Sequence, residues 1–463
     1  MSDPRKSLTR DLTVGSPFRL VIGFAVPLLF GVLFQQFYSF VDTAVVGRYL
    51  GAEKLAAVGA TGSVNFLVIG LCLGLCSGFA IPIAQAFGAH DDKSLRQAVW
   101  HAVVLSAVMS LAFALLAGFT CEAMLRLMNT PEEILPAAAD YIRVIFFAIP
   151  TCVLYNMAGG ILRALGDSRT PVVFLVLASL VNIVLDIFFI VTLHMDVEGA
   201  AWATAISQLV SGLGCVIVMI RRFPILHLAR EDRRLSLRVS LRMLGIGLPM
   251  GLQYSITAIG AVVVQWAVNG LGVTAVAAVS AANKISAFFT CVFDALGSTM
   301  ATFAGQNMGA RRLDRVRQGL NASAVIGSAY CIVAFVIMLL VGGPLLTLFV
   351  DPVKDAGVAE LGVTYLRINA AFYIPLLFVN IVRLSIQGMG FTRVAMLAGL
   401  FEMIARTAVA LLLVPVMGFT GACLANPAAW ILADAFLIPC FYHLLRGLNG
   451  RLMPGAAAPQ AAK

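Results

Sequence analysis

Twelve apolar segments follow one another along this chain, and each is long enough to cross a lipid bilayer as a helix. A spanning helix needs about 20 mostly apolar residues. Such segments lie at 18–46, 55–83, 95–120, 134–161, 171–194, 198–220, 239–269, 274–304, 320–347, 361–387, 394–416 and 418–444. Only 12% of the residues are charged, against roughly 25% in a soluble domain. The alternative of a β-barrel fails, because no segment shows the period-two alternation of barrel strands. We therefore predict an all-α polytopic membrane protein with twelve transmembrane helices.

Basic residues alternate between the connections on the two sides of the predicted membrane. Of the 32 Lys and Arg residues, 24 lie in the terminal tails and the even-to-odd connections, a group in which we count Arg163 and Arg383. The opposite connections hold six. The positive-inside rule then predicts that both termini are cytoplasmic, and we expect the protein to be an integral protein of the plasma membrane. These loops account for the net charge of +9, so we expect no nucleic-acid partner.

The two halves of the sequence resemble one another at a nearly constant offset. LGAEKLAAVGA at 50–60 matches LGVTAVAAVSA at 271–281, and QAFGAHDDKSLRQ at 85–97 matches QNMGARRLDRVRQ at 306–318. Because each half holds six spans, both halves enter the membrane the same way round, as in parallel-repeat transporters. We predict two pseudo-symmetric six-helix lobes that face a central cavity.

The charged stretch RRFPILHLAREDRRLSLRVSLR is the natural joint between the lobes. The predicted domains are an N-lobe at 1–222, a cytoplasmic loop at 223–238, a C-lobe at 239–450 and a disordered tail at 451–463. Prolines occupy corresponding places in the two halves and are candidate bending points, since proline frees backbone groups and kinks helices. The pairs are Pro27 with Pro249 and Pro150 with Pro375.

Three stretches carry a resemblance to a known family. VPLLFGVLFQQFYSFVDTAVVGRYLGAEKLAAVGA, the loop QAFGAHDDKSLRQA and its copy GQNMGARRLDRVRQG resemble the multidrug and toxic compound extrusion (MATE) family of secondary transporters. The similarity covers about residues 15–445. It implies export of organic cations and other amphipathic compounds in exchange for inward H⁺ or Na⁺. We accordingly expect no enzyme activity, no cofactor and a monomer in the bilayer.

Charged side chains within the predicted spans are costly and therefore candidates for function. The carboxylates are Asp42, Asp186, Asp294, Glu402 and Asp434, and the cations are Lys284 and Arg406. Glu402 and Arg406 are four residues apart, a spacing that predicts an ion pair on one helix face. The roles of Lys284, Asp294 and Asp434 stay open.

Two carboxylates, an amide and a hydroxyl are predicted at one depth in the N-lobe. They belong to Asp42, Asn182, Asp186 and Thr204. Such oxygen atoms suit a monovalent cation such as Na⁺, or protons shared between repelling carboxylates; the alternative is hydrogen bonding that only holds helices together. The MATE resemblance implies that these four residues form the cation site of the N-lobe, and that Asn156 occupies a polar position there.

The second half does not repeat this site, because the equivalents of Asp42 and Asp186 are Val263 and Ala410. Candidate residues for a substrate cavity are Gln35, Tyr38, Gln253 and Tyr254, with Asn156 in the same interior.

Two other functions are weighed against an exporter. A flippase of lipid-linked oligosaccharide would need several arginines for a pyrophosphate, and only Arg406 and Lys284 are counted deep in the spans. A membrane-embedded enzyme would need clustered acidic or histidine motifs, and the five histidines do not cluster. The sequence leaves the substrate and the choice between H⁺ and Na⁺ open.

Overall fold

The computed structural model describes residues 10–128, 130–347 and 356–452, and nearly all of this chain is helical. No strand occurs among these residues. Helices are expected where long apolar stretches lie in lipid, because a helix satisfies its backbone hydrogen bonds internally. Of the tail predicted at 451–463, residues 451–452 end the last helix and the remainder lies outside the described residues.

The helices of the first half run in sequence order from the N-terminal segment to the linker between the halves. They are α1 Pro17–Tyr49, α2 Ala52–Ala60, α3 Gly62–Gly88, α4 Asp92–Leu127, α5 Leu135–Phe147, α6 Ile149–Ala164, α7 Arg169–Ile187 and α8 Val197–Arg222. The π-helical turn Phe188–Thr192 continues α7, and a short 3₁₀ turn, Pro224–Leu226, follows α8.

The second half repeats this order with small differences. Its helices are α9 Leu237–Asn269, α10 Val273–Gly309, α11 Leu313–Leu346, α12 Ala356–Ala371, α13 Tyr373–Gly388, α14 Thr392–Ala408, α15 Val414–Met417, α16 Phe419–Cys423 and α17 Ala425–Leu452. A π-helical turn, Val409–Leu413, again lies within the fifth span. Because it occurs in both halves, this turn belongs to the repeated fold.

Ten helices within the described chain are long and apolar enough to span a membrane, and two bent helix pairs bring the number up to twelve. The pair α5 and α6 bends by 45°, and the pair α12 and α13 bends by 51°. Pro150 and Pro375 stand just after these breaks, where a proline cannot donate to the preceding turn. Pro27 and Pro249 lie inside unbroken helices. The polytopic all-α prediction is confirmed.

The interval predicted as the second span begins with a break. A short helix ends at Ala60, and α3 begins at Gly62 after the turn at Thr61. The Thr61 hydroxyl donates to the Val58 carbonyl at 2.7 Å. The span therefore consists of a short first helix and a long second one.

The two halves meet through glycines on α3 and α9. A methyl group on Gly74 would lie 2.5 Å from the Gly251 Cα, and one on Gly78 would lie 2.5 Å from the Gly247 Cα. Small residues spaced by four let helix backbones approach closely inside a membrane. Packing thus crosses from residues 1–222 to residues 239–450, and the predicted lobe boundaries stay a prediction.

The linker and the N-terminal segment cover one end of the bundle, which we call the basic end. In the linker, Asp232 accepts hydrogen bonds from Arg96 Nε at 2.8 Å and from the Ala229 N–H at 3.0 Å. Burial opposes ionisation of Asp232, but these donors outweigh it and hold the pKa of the carboxyl below its ordinary value. The Ser236 N–H also donates to His101 Nε2 at 2.9 Å.

Residues 10–15, which we call the N-terminal strap, bind the second half at the same end. The Leu12 N–H donates to Gln306 Oε1 at 2.8 Å, and the Leu12 carbonyl accepts from Asn307 Nδ2 at 3.2 Å. Arg315 Nη2 donates to the Gly15 carbonyl at 2.9 Å. Leu12 is fully buried, so the strap is part of the packed structure at this end.

Candidate functional site

Asp42 and Asp186 come together inside the first half, from α1 and α7. Their carboxyl groups lie close enough to interact directly. Asp186 is completely buried, Asp42 is half-buried, and oxygen atoms of both lack a hydrogen-bond donor. Two carboxylates in contact cannot both stay ionised at low cost unless a proton or a cation lies between them. The arrangement can therefore hold a cation.

The amide and hydroxyl predicted at this depth lie side by side. Asn182 Nδ2 donates to Thr204 Oγ1 at 3.5 Å, and Asn182 is buried. The Asn182 Oδ1 atom is buried without a partner. With the two carboxylates, this oxygen adds to a set of buried acceptors that lack donors, as a cation site requires.

A cavity of about 340 Å³ lies beside these residues in the first half. Gln35, Tyr38, Asn156, Asn182 and Thr204 contribute to its wall. Asn156 Nδ2 donates to the carbonyl of Cys152 at 2.9 Å, which leaves its side-chain oxygen for the cavity. Asp42 and Asp186 are not part of this wall, so the cavity brings together only the other polar positions predicted for the N-lobe interior.

The sequence prediction missed Tyr141, which interacts electrostatically with both Asp42 and Asp186. It lies on α5, the first part of the bent fourth span, and packs beside Val45 and Val46. A tyrosine on an apolar helix carries no sequence signal for such a role. Only the bend of the span, which sets the direction of α5, could have indicated it.

The positions equivalent to the two carboxylates carry no polar group in the second half. Ala410 is buried and Val263 packs against the apolar core of that half. The predicted asymmetry between the halves follows directly from these side chains.

Glu402 lies between two arginines in the second half. Its Oε1 is 2.9 Å from Arg383 Nη2, and its Oε2 is 3.5 Å from Arg406 Nη2. The ion pair predicted from the four-residue spacing is confirmed. Arg406 also donates through Nε to Asn426 Oδ1 at 3.3 Å, while its Nη1 is buried without a partner.

A second cavity of about 530 Å³ lies between the two halves. Gln253 and Tyr254 line it as predicted, and Tyr254 also reaches the first cavity. Gln253 is fixed by a hydrogen bond of 2.6 Å from Gln387 Nε2 to its Oε1. This central cavity is the site best placed for a substrate that both halves contact.

Only Arg406 and Lys284 are counted in the sequence analysis as cations deep in the spans, and this count is wrong for the central cavity. Arg163 and Arg383, assigned there to connections, both line the cavity wall together with Arg406. Each lies in the last turns of a helix, so its long side chain reaches inward while its Cα is near the helix end. Asp294 also lines the cavity, whereas Asp434 is buried outside the wall.

Comparisons with known proteins agree with the repeated architecture. The family model described as MatE matches residues 27–188 and 249–412, once in each half. The chain belongs to the MATE family. The two matches begin at Pro27 and Pro249, the prolines that the sequence repeat pairs.

Relatives of this MATE protein cover most of its length. The probable multidrug resistance protein YpnP of Bacillus subtilis is 30% identical over 376 residues, covering 80% of this chain and 82% of YpnP. The multidrug export protein MepA of Staphylococcus saprophyticus is 22% identical, covering 83% of this chain and 85% of MepA.

Solved structures share the fold. An outward-facing multidrug resistance MATE family transporter superposes with a TM-score of 0.89 at 23% identity, over 95% of this chain and 98% of that chain. MATE proteins are transporters of small molecules in the membrane and not enzymes. The prediction that this chain is a membrane transporter of small molecules is confirmed.

Proposed function

We propose that this chain exports amphipathic small molecules, organic cations among them, in exchange for H⁺ or Na⁺ by alternating access. The observation that carries the proposal is the contact between Asp42 and Asp186 beside Asn182 and Thr204, inside membrane-spanning helices. Relatives named as multidrug resistance and multidrug export proteins support the substrate class.

Coupling would follow from the cost of two adjacent negative charges. A proton or Na⁺ that enters from outside relieves their repulsion and stabilises whichever conformation binds it better. A substrate in the central cavity that favours the other conformation is then released. Binding of either partner lowers the affinity for the other by the same factor.

The closed end of the structure fits one stage of this cycle. By the positive-inside rule the basic end would lie in the cytoplasm of a plasma-membrane protein. At that end Gln306 Nε2 donates to the Ala164 carbonyl at 2.8 Å. Gln85 Nε2 donates in the opposite direction, to the Gly388 carbonyl at 3.1 Å. In this state the cytoplasmic route is closed, so the cation site would load from outside. The transporter would work as a monomer, since one chain supplies both halves.

A flippase of lipid-linked oligosaccharide is not proposed. The arginines that line the central cavity remove one argument against a pyrophosphate, but the relatives that cover four fifths of the chain are named as drug exporters.

The test is gradient-driven transport by purified protein in proteoliposomes. Asp42→Asn and Asp186→Asn keep the side-chain shape but remove the charge, so transport driven by a pH or Na⁺ gradient should fall to near background. Asp140→Asn removes a half-exposed carboxylate of the same half and should leave transport within about twofold. Wild-type transport by Asp42→Asn would overturn the proposal and leave Asp42 as a packing residue.

A further inference from the structure

We propose that the central cavity binds its substrate through an acidic group, a carboxylate or a phosphate, held by Arg163 and Arg383. This inference rests on the transport function proposed above and names the substrate class of the same cavity. The substrate would be an amphipathic acid, with an apolar body and one anionic end.

Guanidinium groups with unused donors face this cavity. Within the part of the chain that the structure describes, Arg163 forms no hydrogen bond and no ion pair, although it lines the wall. Arg383 contacts Glu402 through Nη2. It also interacts electrostatically with Asp294 and Asp434, but none of its other donors forms a hydrogen bond among the described residues. A guanidinium carries five N–H donors arranged to bind a carboxylate or phosphate in pairs. Unsatisfied donors of this kind favour an anionic ligand.

The negative groups near the cavity do not cancel this preference. Glu402 is almost completely buried between Arg383 and Arg406, so those two guanidiniums already share its charge. Asp434 is buried behind the wall and does not line the cavity. Asp294 is the remaining carboxylate on the wall and is exposed to the cavity. Three guanidiniums therefore face two carboxylates on the wall. Because Arg383 also interacts with both aspartates, Arg163 is the guanidinium that no carboxylate of the described wall pairs.

The distribution of charge gives the cavity two sides. Asp294 extends from α10, in the second half, whereas Arg163 extends from α6, in the first. Arg163 lines the first-half cavity as well as the central one. An acidic group would bind at Arg163 and be shared with Arg383, while Asp294, which already attracts Arg383, would repel the acidic group toward the Arg163 side.

The remainder of the wall suits an apolar body. Phe66, Ile81, Met250, Tyr254 and Trp430 all line the cavity, and aromatic faces bind flat organic molecules well. The volume of about 530 Å³ lies within the range of about 300–1,000 Å³ typical of sites for drug-sized ligands. The cavity therefore combines an apolar wall with an anion-binding corner.

Two dyes with the same fluorescent body and opposite charge test the inference. Dansylglycine carries a carboxylate, and dansylethylenediamine carries an ammonium group. Binding is measured by fluorescence anisotropy with the full-length protein in detergent, without any gradient. The wild type should bind dansylglycine more tightly, and Arg163→Gln should weaken that binding by about tenfold, equivalent to ~1.4 kcal/mol, with no loss for the cationic dye.

Arg169→Gln is the matched control, because Arg169 is exposed and does not line the cavity; it should leave both affinities unchanged. Arg383→Lys keeps a positive charge beside Glu402 and therefore the fold, but loses the paired donors; it should weaken dansylglycine binding severalfold. Tighter binding of the cationic dye by the wild type, no dansylglycine binding up to about 1 mM, or unchanged dansylglycine affinity in both arginine variants would overturn the inference.

Transport in proteoliposomes separates this inference from the proposed function. Asp42→Asn should still bind dansylglycine but lose gradient-driven transport of it. Gradient-driven export of the cationic dye alone would overturn the acidic substrate and leave the coupled exporter standing. Tight dansylglycine binding without any gradient-driven transport would overturn the exporter and leave the anion site standing.

Discussion

Gly88 and Gly309 occupy equivalent positions in the two halves, and each lies against the backbone of the other half. A methyl group on Gly88 would lie 1.9 Å from the Gln306 carbonyl oxygen, and one on Gly309 would lie 1.9 Å from the Gln85 carbonyl oxygen. The contact is reciprocal, so both turns lie at the same end of the bundle. Parallel repeats require this placement.

Alanine at either glycine should prevent closure of the basic end. A Cβ cannot approach a carbonyl oxygen to 1.9 Å, so Gly88→Ala and Gly309→Ala should shift the population toward a conformation open at this end. Cysteines replacing Asp92 and Asp314 in a background without native cysteines can carry spin labels. The distance distribution between the labels should move to longer values in both variants, and substrate transport should fall at least severalfold.

Gly245→Ala is the matched control for these variants. Gly245 lies in a helix near the same end, and no atom comes within 4 Å of a Cβ placed there. This variant should keep the wild-type distance distribution and gain slightly in helix stability, because alanine favours helices over glycine by about 1 kcal/mol. Unchanged distances in Gly88→Ala would contradict the assignment of the glycine contact as a closure.

The linker should stay docked until the pH falls below the ordinary range of a carboxyl group. The pKa of Asp232 is lowered in the folded protein, so its stabilisation is complete above the unfolded value of about 3.9 and is lost as pH falls through the folded value. Between pH 5 and 8 this contribution of Asp232 to docking should not change. Limited trypsin digestion at pH 8 should cut the linker severalfold faster in Asp232→Asn than in the wild type.

The neighbouring residue supplies the control for that experiment. Glu231 is exposed, so Glu231→Gln removes one negative charge from the same linker without removing the contact to Arg96. It should be digested at the wild-type rate. Equal digestion of the two variants would mean that charge in the linker, and not the Asp232 contacts, controls its docking.

The positive-inside rule predicts the orientation of the protein from its basic end. In a cysteine-free background, Arg230→Cys lies in the linker and Glu133→Cys lies beyond α4, both at exposed positions. An impermeant maleimide added to intact cells should label position 133 and spare position 230 until the membrane is opened. Labelling of position 230 alone would place the basic end outside.

The apolar segments and the internal sequence repeat are enough to predict most of this fold. Three features have counterparts in the structure: the twelve apolar stretches, the pairing of Pro150 with Pro375, and the matched loops that follow Gly88 and Gly309. The break at Thr61 and the two π-helical turns are not predicted. Gly59 and Gly62 flank Thr61 and Pro415 follows the second π-helical turn, but glycine and proline are tolerated inside helices that span a membrane and do not by themselves indicate a break.

The candidate site likewise has residues that the sequence predicts and residues that it does not. Asp42 and Asp186 stood out because a carboxylate in an apolar span is costly and therefore indicates a function. Their similar depth along the helices was enough to predict that they lie close together. Arg163 and Arg383 did not stand out as site residues, because arginines near helix ends are normally loop residues that obey the positive-inside rule. Only the direction of the side chain distinguishes a cavity arginine from a loop arginine, and a sequence does not specify that direction.

Glu402 should matter more for folding than for transport. Its side chain is 3% exposed and lies against two guanidiniums, so Glu402→Gln leaves two cations without their counter-charge. Removing one partner of a buried ion pair costs about 3–5 kcal/mol. Thermal unfolding in detergent should occur at a clearly lower temperature, and folded yield should fall, while Glu360→Gln, at an exposed position of the same half, should unfold like the wild type. A wild-type melting temperature for Glu402→Gln would contradict a structural role.

Thr204 can distinguish H⁺ from Na⁺ as the coupling ion. Its hydroxyl oxygen accepts a hydrogen bond from Asn182 at 3.5 Å and remains able to coordinate a cation. A Na⁺ ion needs several oxygen ligands, whereas a proton shared by Asp42 and Asp186 needs no oxygen from Thr204. Thr204→Ala should therefore raise the Na⁺ concentration for half-maximal transport by about tenfold or more if Na⁺ is the coupling ion, the loss of one ligand being worth ~1.4 kcal/mol. With protons as the coupling ion, transport driven by a pH gradient without Na⁺ should change by less than about threefold, since only a neutral hydrogen bond is lost. Thr204→Ser keeps the hydroxyl and should behave like the wild type under both gradients. Loss of transport in Thr204→Ser as well as Thr204→Ala would show that the methyl group is essential for packing and that the hydroxyl oxygen is not the group that matters.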